Sequence, residues 1–334
     1  MRKYRIILAI VLALAMQLLP LAALAAERML VPTVDSHLHY LDFTQHTDGF
    51  TALIQKMDEA GVSDAIIFGM PIVKMWSESD PVRPAYYLDT DSRGYYYSAT
   101  DFILAEELRR QPAAVQQRFS PFISGIHPLD QNSVDYIEKL LDLYPGFWQG
   151  IGEIMSRHDD LTAFTYGEPP RADHPALMRV YQLAARHNLP VLIHHNISSA
   201  NLQDPIYLPE LERAVAANPA TTFIWAHVGI SRRVNVPTLR EDLVRVLNLY
   251  PNLNVDISWV VFSDYIDKDE ASLAAWTALI ERFPDRIMIG SDKVGHWDTY
   301  PAEMTKYNKL LSRLSPTTAK KIAGENIRRL LGKS

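Results

Sequence analysis

The chain has 334 residues, of which 48% are hydrophobic and 22% charged, and it contains no cysteine. This composition is that of a globular protein with a sizeable core, and it excludes a disordered chain, a disulfide-stabilised fold and a metal site with thiolate ligands. Acidic residues outnumber basic ones by 39 to 33, and the net charge of −6 argues against nucleic acid as a partner.

The first 26 residues predict a secretory signal peptide. Arg2, Lys3 and Arg5 precede an apolar run over 6–19, and Ala23-Leu24-Ala25 has the small-x-small pattern of a cleavage site. The alternative is an uncleaved membrane anchor, because the apolar run nearly reaches spanning length. Cleavage would leave a periplasmic or secreted chain over 27–334 without stable membrane insertion. Loss of three basic residues leaves 30 against 39 acidic ones, a net charge of −9.

Beyond residue 26, short apolar runs alternate with amphipathic stretches, which predicts repeated β–α units. Strands are predicted at 33–37, 64–68, 119–125, 147–153, 190–194, 222–227, 253–257 and 286–290. Helical patterns lie between several of these strands, at 175–187, 209–217, 239–249 and 271–283. Eight such units favour an α/β fold of the (β/α)8 TIM barrel type. A doubly wound open sheet is the alternative, but no Gly-x-Gly-x-x-Gly follows its first strand.

One long segment, 69–98, interrupts this alternation. It contains three prolines and a cluster of five tyrosines, and it follows the second predicted strand. In a barrel, loops after the strands lie at the catalytic face. We therefore expect this segment to form a lid or substrate loop.

Six metal-ligand side chains follow the predicted strands. His37 and His39 end the first strand, and residues two apart on a strand point to the same side. The other four residues are separated by whole numbers of β–α units. They lie at the ends of strands four, five and six and just after strand eight: Glu153, His194, His227 and Asp292. Burying six such groups at one rim is costly unless a cation compensates them. The sequence therefore predicts a divalent metal site at the C-terminal ends of the strands.

The motifs around these residues resemble the amidohydrolase superfamily, in particular its amidohydrolase-related branch. The resemblance covers essentially the whole chain after residue 26. It rests on a histidine that ends strand five, His194, and on four motifs: Asp35-x-His37-x-His39, Ala226-His227-x-Gly229, Gly290-Ser291-Asp292 and Glu325-Asn326-Ile327-Arg328-Arg329-Leu330-Leu331. It implies one or two divalent ions, with Zn²⁺ expected. His37, His39, His194 and Asp292 would bind the first metal. His227 would bind a second metal or polarise the substrate.

Two positions depart from the family pattern. Glu153 stands where many dinuclear relatives have a carboxylated lysine; it resembles the bridging carboxylate of other members, and a hydrogen bond to a ligand is the alternative. His194 is followed by His195, and adjacent strand residues point in opposite directions. We expect His194 to face the barrel mouth and His195 to lie behind it.

The resemblance implies hydrolysis of an amide, ester, lactone or phosphoester bond of a small molecule by a metal-activated water. Asp292 would act as general base and then acid, and His227 would stabilise the developing oxyanion. Predicted substrate contacts are His127, Arg232 and Trp259. Three further histidines are interpreted as structural or solvated: His158, His174 and His187. A non-oxidative decarboxylase of the same family and a non-enzymatic metal- or solute-binding protein are the alternatives, and homo-oligomer formation is left open.

Overall fold

The computed structural model describes residues 27–333, so the predicted signal peptide lies outside the described residues. Its main sheet has nine strands with parallel neighbours, and a separate antiparallel pair, β3 and β4, lies outside it. The strands are β1 (Thr33–His39), β2 (Val62–Phe68), β3 (Ile72–Lys74), β4 (Gly94–Tyr96), β5 (Phe119–Ile123), β6 (Gly150–Ser156), β7 (Val191–His195), β8 (Phe223–Trp225), β9 (Leu253–Asp256), β10 (Ile287–Met288) and β11 (Lys293–Val294).

The main sheet closes into a barrel. Its strands follow one another in chain order from β1 to β10, and β11 pairs with the other side of β1. The Ser36 N–H donates to the Ile289 carbonyl at 3.1 Å, which joins β1 to the end of β10. Together β10 and β11 therefore act as one interrupted eighth strand. The predicted TIM barrel is confirmed.

Helices cover the outside of the barrel. The segment Pro175–Arg186 shows why they form: Pro175 begins the helix, the His174 side chain caps it by accepting the Ala176 N–H, and its buried positions recur at helical spacing. The α-helices span Gly49–Ala60, Ala99–Arg109, Ala113–Gln116, Ser133–Leu143, Pro175–Arg186, Leu208–Ala217, Leu239–Leu249, Glu270–Arg282, Tyr300–Thr305, Asn308–Leu311, Pro316–Lys320 and Asn326–Leu330. Within residues 27–333, none combines the length and the apolar character needed to cross a membrane.

Alternation along the strands produces two layers of core. Ala65, Ile67 and similar residues pack outward against the helices. Their neighbours fill the barrel interior: Val34, Ile66, Phe68, Phe122, Leu192, Ile224 and Met288. Phe68 forms the top of this interior layer, with its ring centroid 5.2 Å from that of His37 and 4.5 Å from that of His39. The histidine pair therefore sits directly on the barrel core.

Several predicted strands have other bounds in the structure; the fourth, predicted over 147–153, spans Gly150–Ser156, so Glu153 lies within it and not at its end. Two strands stop before a predicted ligand. The sixth strand stops at Trp225, and a 3₁₀ turn, Ala226–Gly229, carries His227 instead of the strand. The eighth strand is broken between Met288 and Lys293, so Asp292 lies in the gap. In both places the chain leaves the ladder early to turn a ligand-type side chain inward.

Segment 69–98 is also more ordered than the sequence suggested. Its ends form the β3–β4 pair, with Val73 opposite Tyr95, and the 75–93 stretch lies between them. Lys74 is buried and fixes this stretch by donating to the carbonyl of Ser92 at 2.6 Å. The segment is therefore an ordered loop, and it lies on the same face of the barrel as His37 and His39.

Candidate metal centre and adjoining cavity

The His37 and His39 pair is held by a buried carboxylate. Asp35 accepts the His37 N–H at 3.0 Å, the Ser291 N–H at 2.8 Å and the Ser291 hydroxyl at 2.6 Å. These bonds fasten β1 to the loop that carries Asp292. Gly290 permits the close approach, because a Cβ there would lie 2.9 Å from the Cβ of His37.

Glu153 lies at the centre of the cluster. Its Oε2 is 3.1 Å from His39 Nε2 and 3.5 Å from His37 Nε2. Its Oε1 is 3.3 Å from His194 Nδ1 and 3.5 Å from His227 Nε2. Each oxygen of this carboxylate therefore faces a different pair of imidazoles.

The six predicted ligands come together as two groups of three. One group is His37, His39 and Asp292; the other is Glu153, His194 and His227. Within each group the ligand atoms lie within 4.8 Å of one another. The resemblance placed His194 with the first group, whereas the structure groups it with His227. Such a shared arrangement can hold one ion or two, with Glu153 between them.

The donor chemistry of the cluster fits a divalent cation. Three of its buried atoms have no hydrogen-bond partner among the described residues: His37 Nε2, Glu153 Oε1 and His227 Nδ1. Burial opposes charge on His37, but Asp292, Glu153 and Asp256 together raise its pKa well above the ordinary value. In Glu153, burial is outweighed by the charge of His37 and by the closeness of the His194, His227 and His37 imidazoles, so its pKa lies well below the ordinary value. The cluster thus favours a positive charge between its carboxylates.

Two side chains behind the cluster orient its histidines. Asp256, at the end of β9, lies 3.1 Å from His37 Nδ1 and accepts the His227 N–H at 2.9 Å. Asn196 Oδ1 lies 3.0 Å from His194 Nε2. An acceptor on one ring nitrogen holds the proton there, which leaves the other nitrogen free to bind a metal.

The backbone is strained where these side chains turn inward. His227, Trp259 and Asp292 have φ values of 36°, 58° and 52°, in the left-handed region that costs energy for residues other than glycine. All three lie just beyond the C-terminal ends of strands in the barrel. Strain of this kind persists at sites where side-chain placement matters.

A cavity of about 290 Å³ opens over the cluster. His39, Glu153, His194 and Asp292 form part of its floor. Asp292 is the most accessible of the clustered groups, with 12% of its side chain exposed against 0–3% for the other five. It is therefore the carboxylate best placed to meet a substrate.

The cavity walls combine aromatic rings with cations. Segment 69–98 contributes Tyr86 and Tyr87, and the Arg232 guanidinium lies 5.5 Å from the Tyr86 ring centroid and 5.3 Å from that of Trp259. Arg232 also donates to the Tyr86 hydroxyl. Neither Arg232 nor Lys293, which lines the same cavity, forms an ion pair with a carboxylate of residues 27–333. The cavity can therefore receive a small molecule that carries negative charge.

The remaining histidines occupy different positions. His127 lies outside the cavity, because the Tyr96 ring packs on it at 4.3 Å and its Nδ1 accepts the Leu129 N–H. His195 lies behind β7, bonded to Ser156 and to the Tyr207 carbonyl, as its strand parity predicted. His158, interpreted from the sequence as structural or solvated, is buried and lines the cavity.

Sequence reasoning missed two of the residues beside the cluster. Asp256 ends a strand like the predicted ligands, so the same repeat length could have found it. His158 lies in the loop after β6, where no strand position marks it. Only the fold brings its ring to 4.4 Å from that of His194.

Known structures share this fold at low sequence identity. A zinc-bound amidohydrolase from Burkholderia multivorans matches with a TM-score of 0.57 and 15% identity, over 91% of this chain and 100% of that one. A 2,6-dihydroxybenzoate decarboxylase complexed with 2,6-dihydroxybenzoate matches with a TM-score of 0.56 and 15% identity, over 90% and 99%. Dihydroorotase from Campylobacter jejuni matches with a TM-score of 0.56 and 15% identity, over 91% and 84%.

Sequence comparison establishes the family. No curated protein sequence matches the chain. The sequence model of a family described as amidohydrolase matches residues 34–333. This range includes all six clustered ligand-type residues and every residue that lines the cavity. This chain belongs to the amidohydrolase family of enzymes, which confirms the resemblance seen in its motifs.

Proposed function

We propose that the chain is a metal-dependent hydrolase that cleaves an amide, ester, lactone or phosphoester bond of a small molecule. The observation that carries the proposal is the position of Glu153 between two pairs of imidazoles, beneath a cavity that Asp292 reaches. Zn²⁺ is the expected metal, because nitrogen and carboxylate ligands suit it and the site has no thiolate.

Each residue of the cluster has a proposed role. His37, His39 and Asp292 would hold one ion, and His194 and His227 would hold a second, with Glu153 shared between them. A bound divalent ion polarises a carbonyl or phosphoryl oxygen and lowers the pKa of water. Asp292 would accept a proton from the attacking water and return it to the leaving group.

The cavity walls have roles in substrate binding. Trp259, Tyr86 and Tyr87 would exclude water from the reacting bond and stack on a planar group. Arg232 would hold a carboxylate or phosphate at the rim. His227, whose pKa is lowered by burial and by the neighbouring His194, stays neutral and can support a developing negative charge or bind metal.

Non-oxidative decarboxylation is the second candidate. The aromatic walls and the Arg232 guanidinium, which pairs with none of the described carboxylates, would equally suit an aromatic acid. The two reactions differ in their product, because decarboxylation releases CO₂ and hydrolysis consumes water.

The test begins with protein stripped by a chelator and reloaded with Zn²⁺. We expect the loaded protein to hydrolyse at least one member of a panel of lactones, esters, amides and phosphoesters, and the stripped protein to hydrolyse none. Asp292→Asn should abolish turnover. Release of CO₂ from hydroxybenzoates without any hydrolysis would transfer the assignment to the second candidate, and tight binding without turnover of either kind would contradict both.

A further inference from the structure

His158 lies beside the metal-ligand cluster without belonging to it. Its ring stacks on that of His194, with centroids 4.4 Å apart and planes 21° apart, and its side chain is 5% exposed. It lines the cavity over the cluster and also a second cavity next to it. His158 therefore forms part of the wall that faces a bound substrate.

The loop after β6 fixes which nitrogen of His158 carries the proton. Its Nδ1 accepts two backbone N–H groups, from Asp160 at 3.0 Å and from Leu161 at 3.1 Å. With two hydrogens pointing at it, Nδ1 has no room for one of its own. A neutral imidazole then carries its proton on Nε2.

Asp159, the neighbouring acidic residue, does not take part in these bonds. The nearest carboxylate oxygen, on Asp159, lies 3.6 Å from Nδ1, beyond hydrogen-bond distance, and accepts instead from Ser231 and Asn196. Asp159 thus makes no hydrogen bond with the His158 ring.

The Nε2–H has no partner among the residues that the structure describes. Within 27–333, the hydrogen bonds of the His158 ring all use Nδ1. Nε2 is on the opposite edge of the ring from the loop that holds Nδ1. A donor that is fixed in direction and unpaired at a cavity wall is suited to recognise an oxygen of a ligand.

We propose that His158 is a substrate-binding residue of this enzyme, a fixed Nε2–H donor to an oxygen of the group that reacts over the cluster. This inference rests on the proposed metal-dependent activity. The substrate class it implies has an acceptor oxygen, such as a carbonyl, lactone or carboxylate oxygen, on the β6–β7 side of the cavity. An unsubstituted hydrocarbon ring at that position would leave the donor unpaired at a cost.

Two substitutions separate substrate binding from a purely structural role. In His158→Asn the side-chain oxygen can replace Nδ1 as acceptor for the loop, but nothing replaces the Nε2–H. In His158→Gln the amide N–H can reach the position of Nε2, but the acceptor for the loop is lost. The two variants thus delete opposite edges of the same ring.

Kinetics with a substrate that the zinc-loaded wild-type enzyme turns over give opposite expectations for the two roles. If His158 binds substrate, kcat/KM of His158→Asn falls about a hundredfold while its Tm stays near the wild-type value, and His158→Gln recovers part of the activity. If the residue only supports the loop, His158→Asn stays active and His158→Gln loses both Tm and activity. The second pattern would overturn the proposal.

A measurement without substrate keeps this inference separate from the proposed function. Nitrogen NMR of histidine-labelled protein, with His158→Asn used for assignment, reads the protonation of both ring nitrogens. We expect Nε2 protonated and Nδ1 bare at pH 7, with and without Zn²⁺. A proton on Nδ1, or on both nitrogens, would overturn the inference even if the enzyme proved to be a hydrolase. If the zinc-loaded wild-type enzyme neither hydrolysed any substrate nor released CO₂, the proposed function would be overturned instead.

Discussion

Asp256→Asn is the substitution that examines the cluster most selectively. Asp256 is fully buried, and its two oxygens have different partners. Oδ1 accepts the backbone N–H groups of His227 and Ser258, and Oδ2 lies 3.1 Å from His37 Nδ1. An asparagine of the same shape keeps a carbonyl for the two N–H groups. Its amide nitrogen, however, presents hydrogens to His37 where an acceptor stood.

The consequence for metal binding follows from the His37 ring. Facing an amide donor, Nδ1 has to give up its proton, and a neutral ring then carries that proton on Nε2, the atom that points to Glu153 and Asp292. Loss of a partner that orients a metal ligand weakens metal affinity by roughly 10- to 100-fold. That corresponds to about 1.4 to 2.8 kcal/mol of binding free energy.

The assay is competition for Zn²⁺ between the protein and a coloured chelator. Asp101→Asn serves as the matched control: Asp101 is likewise buried and accepts the Ser124 and Gly125 N–H groups, both at 2.9 Å, but has no bond to a clustered histidine. We expect Asp256→Asn to bind zinc more weakly and Asp101→Asn to bind it normally. Equal zinc affinity for Asp256→Asn and wild type, in a folded protein, would refute the role given to Asp256.

Three further predictions concern the cluster and its cavity. Glu153→Gln should reduce the number of zinc ions bound per chain, or their affinity, because an amide offers one oxygen where the carboxylate offers two; metal analysis after dialysis measures this, and unchanged binding would show that Glu153 is not shared. Arg232→Gln should raise KM for an anionic substrate about tenfold while zinc affinity stays constant, since one charged hydrogen bond is lost; an equal effect on an uncharged substrate would contradict a role in charge recognition. Gly290→Ala should lower the free energy of unfolding by about 1–3 kcal/mol in denaturant titrations, because the alanine Cβ would lie 2.9 Å from the Cβ of His37. A stability like that of wild type would show that β1 can shift to make room for this Cβ.

The barrel could be predicted from the sequence because its signals are local and repeated. Apolar runs at a regular interval mark the strands, and residues that follow those runs must share one rim of a closed sheet. This is why the pattern of residues alone places Glu153 and His194 together, although they lie far apart in the chain. His195 could likewise be placed behind β7 from the sequence, since strand geometry alone decides which side it faces.

The features that could not be predicted from the sequence depend on irregular backbone. His227 was expected at this rim, but on a strand. His227 points inward from a 3₁₀ turn with a left-handed φ of 36°, and no pattern of residues marks such a turn. His127 was expected at the rim because it follows a strand, but the fold of segment 69–98 places Tyr96 over it. His158 shows the converse: a loop histidine whose position against His194 depends on hydrogen bonds within its own turn.

The most direct test of the metal-dependent assignment is a crystal structure of zinc-loaded protein with anomalous diffraction measured at the zinc edge. We predict one or two anomalous peaks within bonding distance of His37, His39 and Asp292, with the Glu153 carboxylate bound to them and the cavity open above. Zinc bound elsewhere on the chain, or zinc in the cluster that contacts neither Asp292 nor Glu153, would contradict the account.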